Sequence, residues 1–272
     1  MRIPGWFPAL TAIALLCAPT LADADPPGVN LRWDQCLADG GVQFRDFACD
    51  TNSGSERLVA SFQLPAGMAD ATGLEAILNL ASAGAALPAW WSFKNVGTCR
   101  QNAAATQLTL PAGSVNCVDW AGGLASGGIA NYLIGDQGPN HARIVMATAT
   151  GPPGVPVPAG REYFAFTITI SHAKTVGTGA CAGCLEPVVV FLSALTVTSF
   201  TPGSSVVITQ GTNGDDTRWV SWQHGHPINV VQGCERRLED GSCFHPTVFF
   251  DVVSAVTATR NSTWGAVKSL YR

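Results

Sequence analysis

The chain has 272 residues, a formal net charge of −4 at pH 7 and only 12% charged residues. Because nucleic-acid recognition needs clustered Lys and Arg, and no such cluster occurs, the composition excludes a nucleic-acid-binding protein. The length suffices for one large domain with a substantial core, so disulfides are not needed to replace a missing core.

The N-terminus has the features of an export signal. Arg2 supplies a positive charge, the apolar stretch Trp6–Cys17 follows it, and Ala22-Asp-Ala24 offers a small-x-small cleavage pattern. We therefore predict a signal peptide over residues 1–24, cleaved before Asp25. This signal predicts a secreted or cell-envelope protein, located in the periplasm, on the outer surface or in the extracellular space.

Lipidation at Cys17 is the alternative to ordinary secretion. The bulky Leu16 precedes that cysteine where lipoprotein processing requires a small residue, so secretion is the favoured interpretation. No later apolar stretch is long enough to cross a bilayer, which predicts no transmembrane segment after signal removal.

Alternation of apolar and polar residues predicts strands along most of the remaining chain. The clearest period of two occurs in Leu58–Leu64, Leu74–Ser82, Arg161–His172 and Val248–Val256. Weaker candidates are Val29–Trp33, Trp90–Lys94, Thr106–Leu110, Ala142–Thr148, Pro187–Thr198, Ser205–Thr209 and Arg218–His224. Turn-forming residues separate these segments. We predict an all-β fold, an antiparallel β-sandwich of jelly-roll or immunoglobulin-like type, as a single domain over residues 25–260.

Two segments interrupt the strand pattern. Val118–Ile134 is rich in Gly and Ala and is predicted to form a short helical turn or a packed loop. Gly151–Gly160 contains four prolines, which lack the N–H donor of a central strand. A surface loop is preferred there over a domain linker, because similar strand patterns continue on both sides.

The last residues, 261–272, form a separate tail in this interpretation. Asn261 or Ser262 is suited to cap a short C-terminal helix, which would place Trp264, Val267 and Tyr271 on one apolar stripe. This stripe either docks onto the sandwich or recognises a partner, and the sequence leaves both open.

Eight cysteines follow the predicted signal in four near-neighbour pairs, and an even number in an exported protein predicts a disulfide framework. Because the members of each pair are close in sequence, we predict four local disulfides: Cys36–Cys49, Cys99–Cys117, Cys181–Cys184 and Cys234–Cys243. The Cys-x-x-Cys spacing also suits thiol–disulfide exchange. The motif lies between two strand patterns and not at a helix N-terminus, so a structural disulfide is favoured.

Several histidines are candidate ligands for zinc or copper. His224 and His226 would share one face of a strand, and His245 or His172 would add a third imidazole. His-x-His is a common spacing, however, and no carboxylate signature accompanies it. We favour solvated loop histidines and predict no cofactor.

Four tryptophans are candidate sugar-binding platforms: Trp90, Trp91, Trp219 and Trp222. Packing in the core is the alternative and the favoured one, because a Trp side chain buries a large apolar area with one donor to satisfy.

No hydrolase or nucleotide-binding motif is present. The sequence lacks a Gly-x-Ser-x-Gly elbow, a His-Glu-x-x-His helix, a phosphate-binding Gly-rich loop and a dinucleotide fingerprint. No catalytic residue is therefore assigned, although paired carboxylates would escape such a search.

Four segments resemble a group of exported bacterial β-rich proteins of uncharacterised function: Asn30–Cys36, Leu87–Arg100, Val176–Cys184 and Thr263–Arg272. The similarity covers most of the chain after the predicted signal, and the Thr263–Arg272 tail is its most specific part. The resemblance implies a bacterial, exported, single-domain protein. It implies no activity and assigns no functional residue.

These observations predict an exported, disulfide-stabilised, non-enzymatic binding or structural protein of the cell envelope or extracellular space. A carbohydrate-binding module or carbohydrate-active enzyme is the alternative, and a metal-dependent enzyme that uses His224 and His226 comes third. The expected partner is a glycan or another envelope protein.

Overall fold

The computed structural model describes residues 26–236 and 243–254. The predicted signal peptide and the predicted C-terminal helix lie outside these residues. Within them, no helix is long and apolar enough to cross a membrane.

The fold is β-rich and has almost no helix. Its strands are β1 (Gly28–Trp33), β2 (Phe44–Arg45), β3 (Ser55–Gln63), β4 (Met68–Ser82), β5 (Ala104–Gln107), β6 (Val118–Asp119), β7 (Ser126–Ile134), β8 (His141–Ala149), β9 (Val155–Val157), β10 (Tyr163–Ser171), β11 (Val188–Ser199), β12 (Val206–Ile208), β13 (Trp219–Trp222), β14 (Gly225–Arg236) and β15 (Cys243–Ser254). Short 3₁₀ helices span Leu37–Asp39, Ala89–Trp91 and Asp215–Thr217.

The described strands form three sheets. Sheet A has the order β1-β3-β10-β5, with β6 also paired to β10. Sheet B has the order β2-β13-β11-β4-β8-β7, with β12 on β11 and β9 on β4. The third sheet is the hairpin β14-β15. Pairing is antiparallel except for β6 with β10 and β2 with β13.

Sheets A and B share one hydrophobic core. Leu31, Phe62 and Phe166 from sheet A belong to the same buried cluster as Leu78 and Leu192 from sheet B. This explains the alternation in β3 and β10, whose apolar residues at every second position point into the space between the sheets.

The hairpin packs on the other face of sheet B. Val248, Phe250 and Val252 of β15 form a second buried cluster, in which Val189 and Phe191 of β11 take part. Strand β11 is therefore covered on both faces, which accounts for the uninterrupted apolar run of its first residues, VVVFL.

Two predicted elements are wrong in type. Val118–Ile134, predicted as a helical turn or loop, contains the nine-residue strand β7, because backbone pairing with β8 outweighs the low strand propensity of its Gly and Ala residues. Trp90–Lys94, predicted as a weak strand, contains a 3₁₀ turn.

The proline-rich segment Gly151–Gly160 lies against sheet B, since β9 pairs with β4 and Val157 is buried.

The disulfides link distant segments, so the predicted local pairing is wrong for three of the four pairs. The bonds are Cys36–Cys117, Cys49–Cys184 and Cys99–Cys181, with separations of 81, 135 and 82 residues. Antiparallel strands return distant loops to the same end of a sheet, where cysteines far apart in sequence meet. Cys234 is also disulfide-bonded. The side chain of Cys243 lies outside the described residues, so the pair Cys234–Cys243 stays a prediction.

Candidate interaction surface

The four tryptophans considered as candidate sugar platforms lie in the core, which was the favoured interpretation of the sequence. Trp90, Trp91 and Trp222 are fully buried, and Trp219 is 5% exposed. The ring of Trp222 lies 4.8 Å from that of Trp90 and 5.1 Å from that of Trp91. None of these rings presents a face to solvent, so the alternative of sugar platforms does not hold.

A buried arginine holds this aromatic cluster. The guanidinium carbon of Arg100 lies 3.5 Å from the centre of the Trp90 ring, and Arg100 donates to the backbone carbonyls of Trp90 and Ser171. Burial lowers the pKa of Arg100 to about 10. The cation therefore joins the Trp90 turn to the end of β10, a structural use of the charge.

The candidate metal ligands do not assemble into a site among the described residues. His224 pairs with Asp46 at 2.7 Å, and both side chains are more than half exposed. The ring of His226 lies 5.3 Å from that of Trp219. The side chain of His245 is outside the described residues. The one described group of three potential ligands is Cys36, Asp39 and Cys117, whose two cysteines are bonded to each other.

Two carboxylates act as acceptors for loop backbone. Glu162 is buried and accepts from the backbone N–H groups of Leu37 and Ala38, from Asn30 Nδ2 and from Ser61 Oγ. This carboxylate therefore caps the 3₁₀ helix at Leu37–Asp39. Its acceptor capacity is used in structure, which leaves it unsuited to acid–base catalysis.

Asp39 holds a second loop in the same way. Its Oδ1 accepts from the N–H groups of Val115 and Asn116 at 3.0 and 2.8 Å, and its Oδ2 from that of Cys117 at 3.1 Å. Partial burial by itself raises the pKa of Asp39, but these backbone donors together outweigh it and hold the pKa below its usual value.

One His–carboxylate pair combines a buried histidine with a half-buried carboxylate. His172 Nε2 lies 2.8 Å from Glu56 Oε1, and His172 Nδ1 has no hydrogen-bond partner. Among the described residues, no hydroxyl or thiol nucleophile is bonded to this ring. The pair therefore lacks the nucleophile that a catalytic triad requires.

The outward face of the hairpin is apolar and exposed. This hairpin face consists of Ile228, Val230, Val231, Phe249 and Val253, which are between 37% and 59% exposed. Val231 and Phe249 are direct cross-strand neighbours. Since single exposed apolar residues are common but contiguous groups mark contact sites, the hairpin face is the candidate interaction surface.

The charged residues of the hairpin lie mostly at one end. Glu235 and Arg236 are the last residues of β14, and Asp251 is the only charged residue, histidine aside, in residues 225–234 and 246–254. Asp251 is the cross-strand neighbour of Ile228, and Asn229 Nδ2 donates to it at 2.9 Å.

The two edges of the hairpin differ. Within the described part of the chain, β14 and β15 pair only with each other. Side chains of sheet B cover the outer edge of β15, because Asn79 Nδ2 donates to the carbonyl of Val248 at 3.1 Å and His141 Nε2 lies 2.9 Å from the carbonyl oxygen of Phe250. The β14 edge, beside an apolar face, is therefore the one that is able to accept a further strand.

Strand β7 is an edge strand of sheet B, with nine residues against twelve in β14, and neighbouring side chains protect it. The backbone N–H of Ile129 donates to Thr106 Oγ1 at 3.1 Å. The amide nitrogen of Asn95, turned toward β7, donates to the carbonyl of Tyr132 at 2.9 Å. Side-chain partners of this kind block strand addition, so β7 is a weaker candidate than the hairpin.

The sequence carried a signal for the hairpin face that alternation alone missed. The adjacent residues Phe249 and Phe250 place apolar side chains on both faces of β15. One face packs on sheet B and the other is exposed.

When the chain is compared with protein-family models, curated proteins and solved structures, none of them matches it.

Proposed function

We propose that this protein is an exported, disulfide-stabilised, non-enzymatic binding or structural protein of the cell envelope or extracellular space, built on a single β-sandwich of jelly-roll or immunoglobulin-like type. The observation that carries the proposal is the hairpin face, an exposed apolar surface on a two-stranded sheet whose β14 edge pairs with no other described strand. The shared core of sheets A and B supports the sandwich, and the three long-range disulfides support an oxidising location.

A second copy of this chain is the partner that the hairpin face fits best. The surface is nearly uncharged and the chain has a net charge of −4, so two copies repel each other weakly. Pairing of β14 with the same strand of a second copy would satisfy its open backbone groups and cover apolar side chains together.

Sedimentation velocity of the purified full chain tests this function. We expect wild-type protein to associate reversibly with rising concentration, and the variant Val231→Asp/Phe249→Asp to stay monomeric with an unchanged thermal unfolding curve. The control is Leu185→Asp, at a residue that is 73% exposed and lies outside the hairpin. It should associate like wild type.

Three results would contradict the proposal. The first is association that survives the double Asp substitution, and the second is a wild-type chain that stays monomeric at every concentration. The third is reproducible hydrolysis in a panel of glycan, ester and peptide substrates, abolished by replacing one carboxylate or histidine. That result would make the protein an enzyme.

A further inference from the structure

Two of the disulfides share the two cysteines of one short motif. In Cys181-Ala-Gly-Cys184, Cys181 is bonded to Cys99 and Cys184 is bonded to Cys49. The Cys-x-x-Cys spacing is that of thiol–disulfide exchange motifs, in which the two cysteines bond to each other. Because the structure holds them in separate long-range bonds, a local bond between Cys181 and Cys184 is an alternative to the bonds present.

Both bonds reach one open cleft. Its volume is about 470 Å³, and Cys49, Cys181 and Cys184 line it together with Leu185. Cys181 and Cys184 are buried, whereas Cys49 is half-buried. Cys49 is therefore the cysteine of this cleft that a thiol from solution reaches most easily.

Backbone contacts hold the motif against the turn that contains Trp90. The backbone N–H of Trp90 donates to the carbonyl of Ala182 at 2.9 Å. Gly183 has a φ of +103°, and a Cβ added there would lie 2.1 Å from Cβ of Pro88, so glycine is required at this position. The motif is therefore held in place by contacts other than its two disulfides.

A hydrogen-bond donor faces the sulfur of Cys49. Gln223 Nε2 donates to Cys49 Sγ at 3.3 Å and to the carbonyl of Phe47 at 2.7 Å. Such a donor stabilises a thiolate more than it stabilises a disulfide sulfur, because the thiolate carries a negative charge. Cys49 is therefore suited to be released as a thiolate.

We propose that this cleft is a thiol–disulfide exchange site, at which a dithiol replaces the two long-range bonds with the local bond Cys181–Cys184. The first thiolate of the dithiol attacks Cys49 Sγ, which forms a mixed disulfide and releases the Cys184 thiolate. This thiolate attacks Cys181 Sγ, forms the local bond and releases the Cys99 thiolate. The second thiolate of the dithiol then attacks its own sulfur in the mixed disulfide and releases Cys49.

Atoms and electrons balance over these steps. The dithiol loses two electrons and becomes a disulfide, while two protein disulfides become one disulfide and two thiols. The two protons of the dithiol end on Cys49 and Cys99. The exchange does not use the hairpin face, so it goes beyond the proposed function.

Stepwise addition of dithiothreitol to the purified full chain tests the site. The reductant is added up to one molar equivalent at about pH 8, near the ordinary pKa of a thiol. The reaction is stopped with acid, free thiols are alkylated with N-ethylmaleimide and the peptides are mapped without reduction. We expect equal labelling of Cys49 and Cys99, together with a peptide that contains the Cys181–Cys184 bond.

The Cys36–Cys117 bond is the internal control, because both of its cysteines are buried, and it should stay intact. Labelling of Cys49 and Cys184 with an unchanged Cys99–Cys181 bond overturns the proposal, since it means reduction without exchange. Absence of labelling at all four of these cysteines overturns it as well.

Single substitutions test the exchange step without a reductant. Cys49→Ser leaves Cys184 without its partner, so at about pH 8 the free thiol should be found at Cys99, with Cys181 bonded to Cys184. Cys117→Ser is the matched control. It leaves Cys36 without a partner, and the free thiol should stay there. A free thiol that remains at Cys184 in the Cys49→Ser variant contradicts the exchange.

Reduced glutathione, a monothiol, identifies the sulfur that is attacked first. We expect a glutathione adduct on Cys49, and an adduct on Cys184 alone would overturn the assignment. Val231→Asp/Phe249→Asp should react like wild type, which separates this site from the hairpin face.

Discussion

Single polar side chains hold the loops at the ends of the sheets. Glu162 accepts hydrogen bonds from two backbone N–H groups of a 3₁₀ turn, and Asp39 accepts from three backbone N–H groups of a loop. Arg100 donates to backbone carbonyls in the Trp90 turn and at the end of β10. In each case a buried or half-buried charge satisfies backbone groups that have no partner in a strand. The charges of these residues are therefore used for structure, which fits a protein with few charged residues.

The pH dependence of the Asp39 loop is predictable in sign. The pKa of Asp39 is lower in the folded chain than its ordinary value of 3.8, so its hydrogen bonds stabilise the fold above that pH and are lost as pH falls through the lower, folded value. We expect the amide proton shifts of Val115, Asn116 and Cys117 to titrate together in NMR spectra, with a midpoint below 3.8.

Asp39→Asn provides the control for that titration. The amide side chain cannot ionise, so these three proton shifts should not titrate with the same midpoint. A wild-type midpoint at or above 3.8 would show that the backbone donors do not dominate at this carboxylate.

At the level of elements, the β14-β15 hairpin has two apolar faces with different roles. Val248, Phe250 and Val252 pack on sheet B, whereas Phe249 and Val253 point to solvent. Folding stability should therefore depend on the inner face, and association should depend on the outer face.

Adjacent phenylalanines separate these roles. Phe250 is 4% exposed and its ring lies 5.6 Å from that of Phe191, so Phe250→Ala should lower the free energy of unfolding by about 3–5 kcal/mol. Phe249 is 44% exposed, and Phe249→Ala should cost less than about 1 kcal/mol. Urea denaturation measures both. Equal costs would mean that the hairpin does not pack on sheet B through Phe250.

At the level of the whole molecule, three disulfides join loops from opposite parts of the sequence. Two of them, Cys36–Cys117 and Cys99–Cys181, close loops of nearly equal length, with separations of 81 and 82 residues. Because these bonds close long loops, they lower the conformational entropy of the unfolded chain more than the short-range disulfides predicted from the spacing of the cysteines would.

Removing these two bonds one at a time is a matched comparison. Cys36→Ala/Cys117→Ala and Cys99→Ala/Cys181→Ala should each lower the free energy of unfolding by about 4 kcal/mol, because the chain-entropy contribution depends on loop length. Peptide mapping without reduction should recover the three long-range bonds. Recovery of Cys36–Cys49 or Cys99–Cys117 would contradict the described topology.

The sequence by itself predicted the all-β character, because strand periodicity is local and reads directly from residues such as those of Arg161–His172, most of which form β10. It predicted that the cysteines form disulfides, and it favoured core packing for the tryptophans.

Tertiary structure alone decided which cysteines meet, since pairing depends on where antiparallel strands return distant loops. It also decided that β7 pairs despite its glycines and that Phe249 faces solvent while Phe250 is buried. Strand register sets all of these contacts, and register depends on long-range pairing that no local pattern specifies.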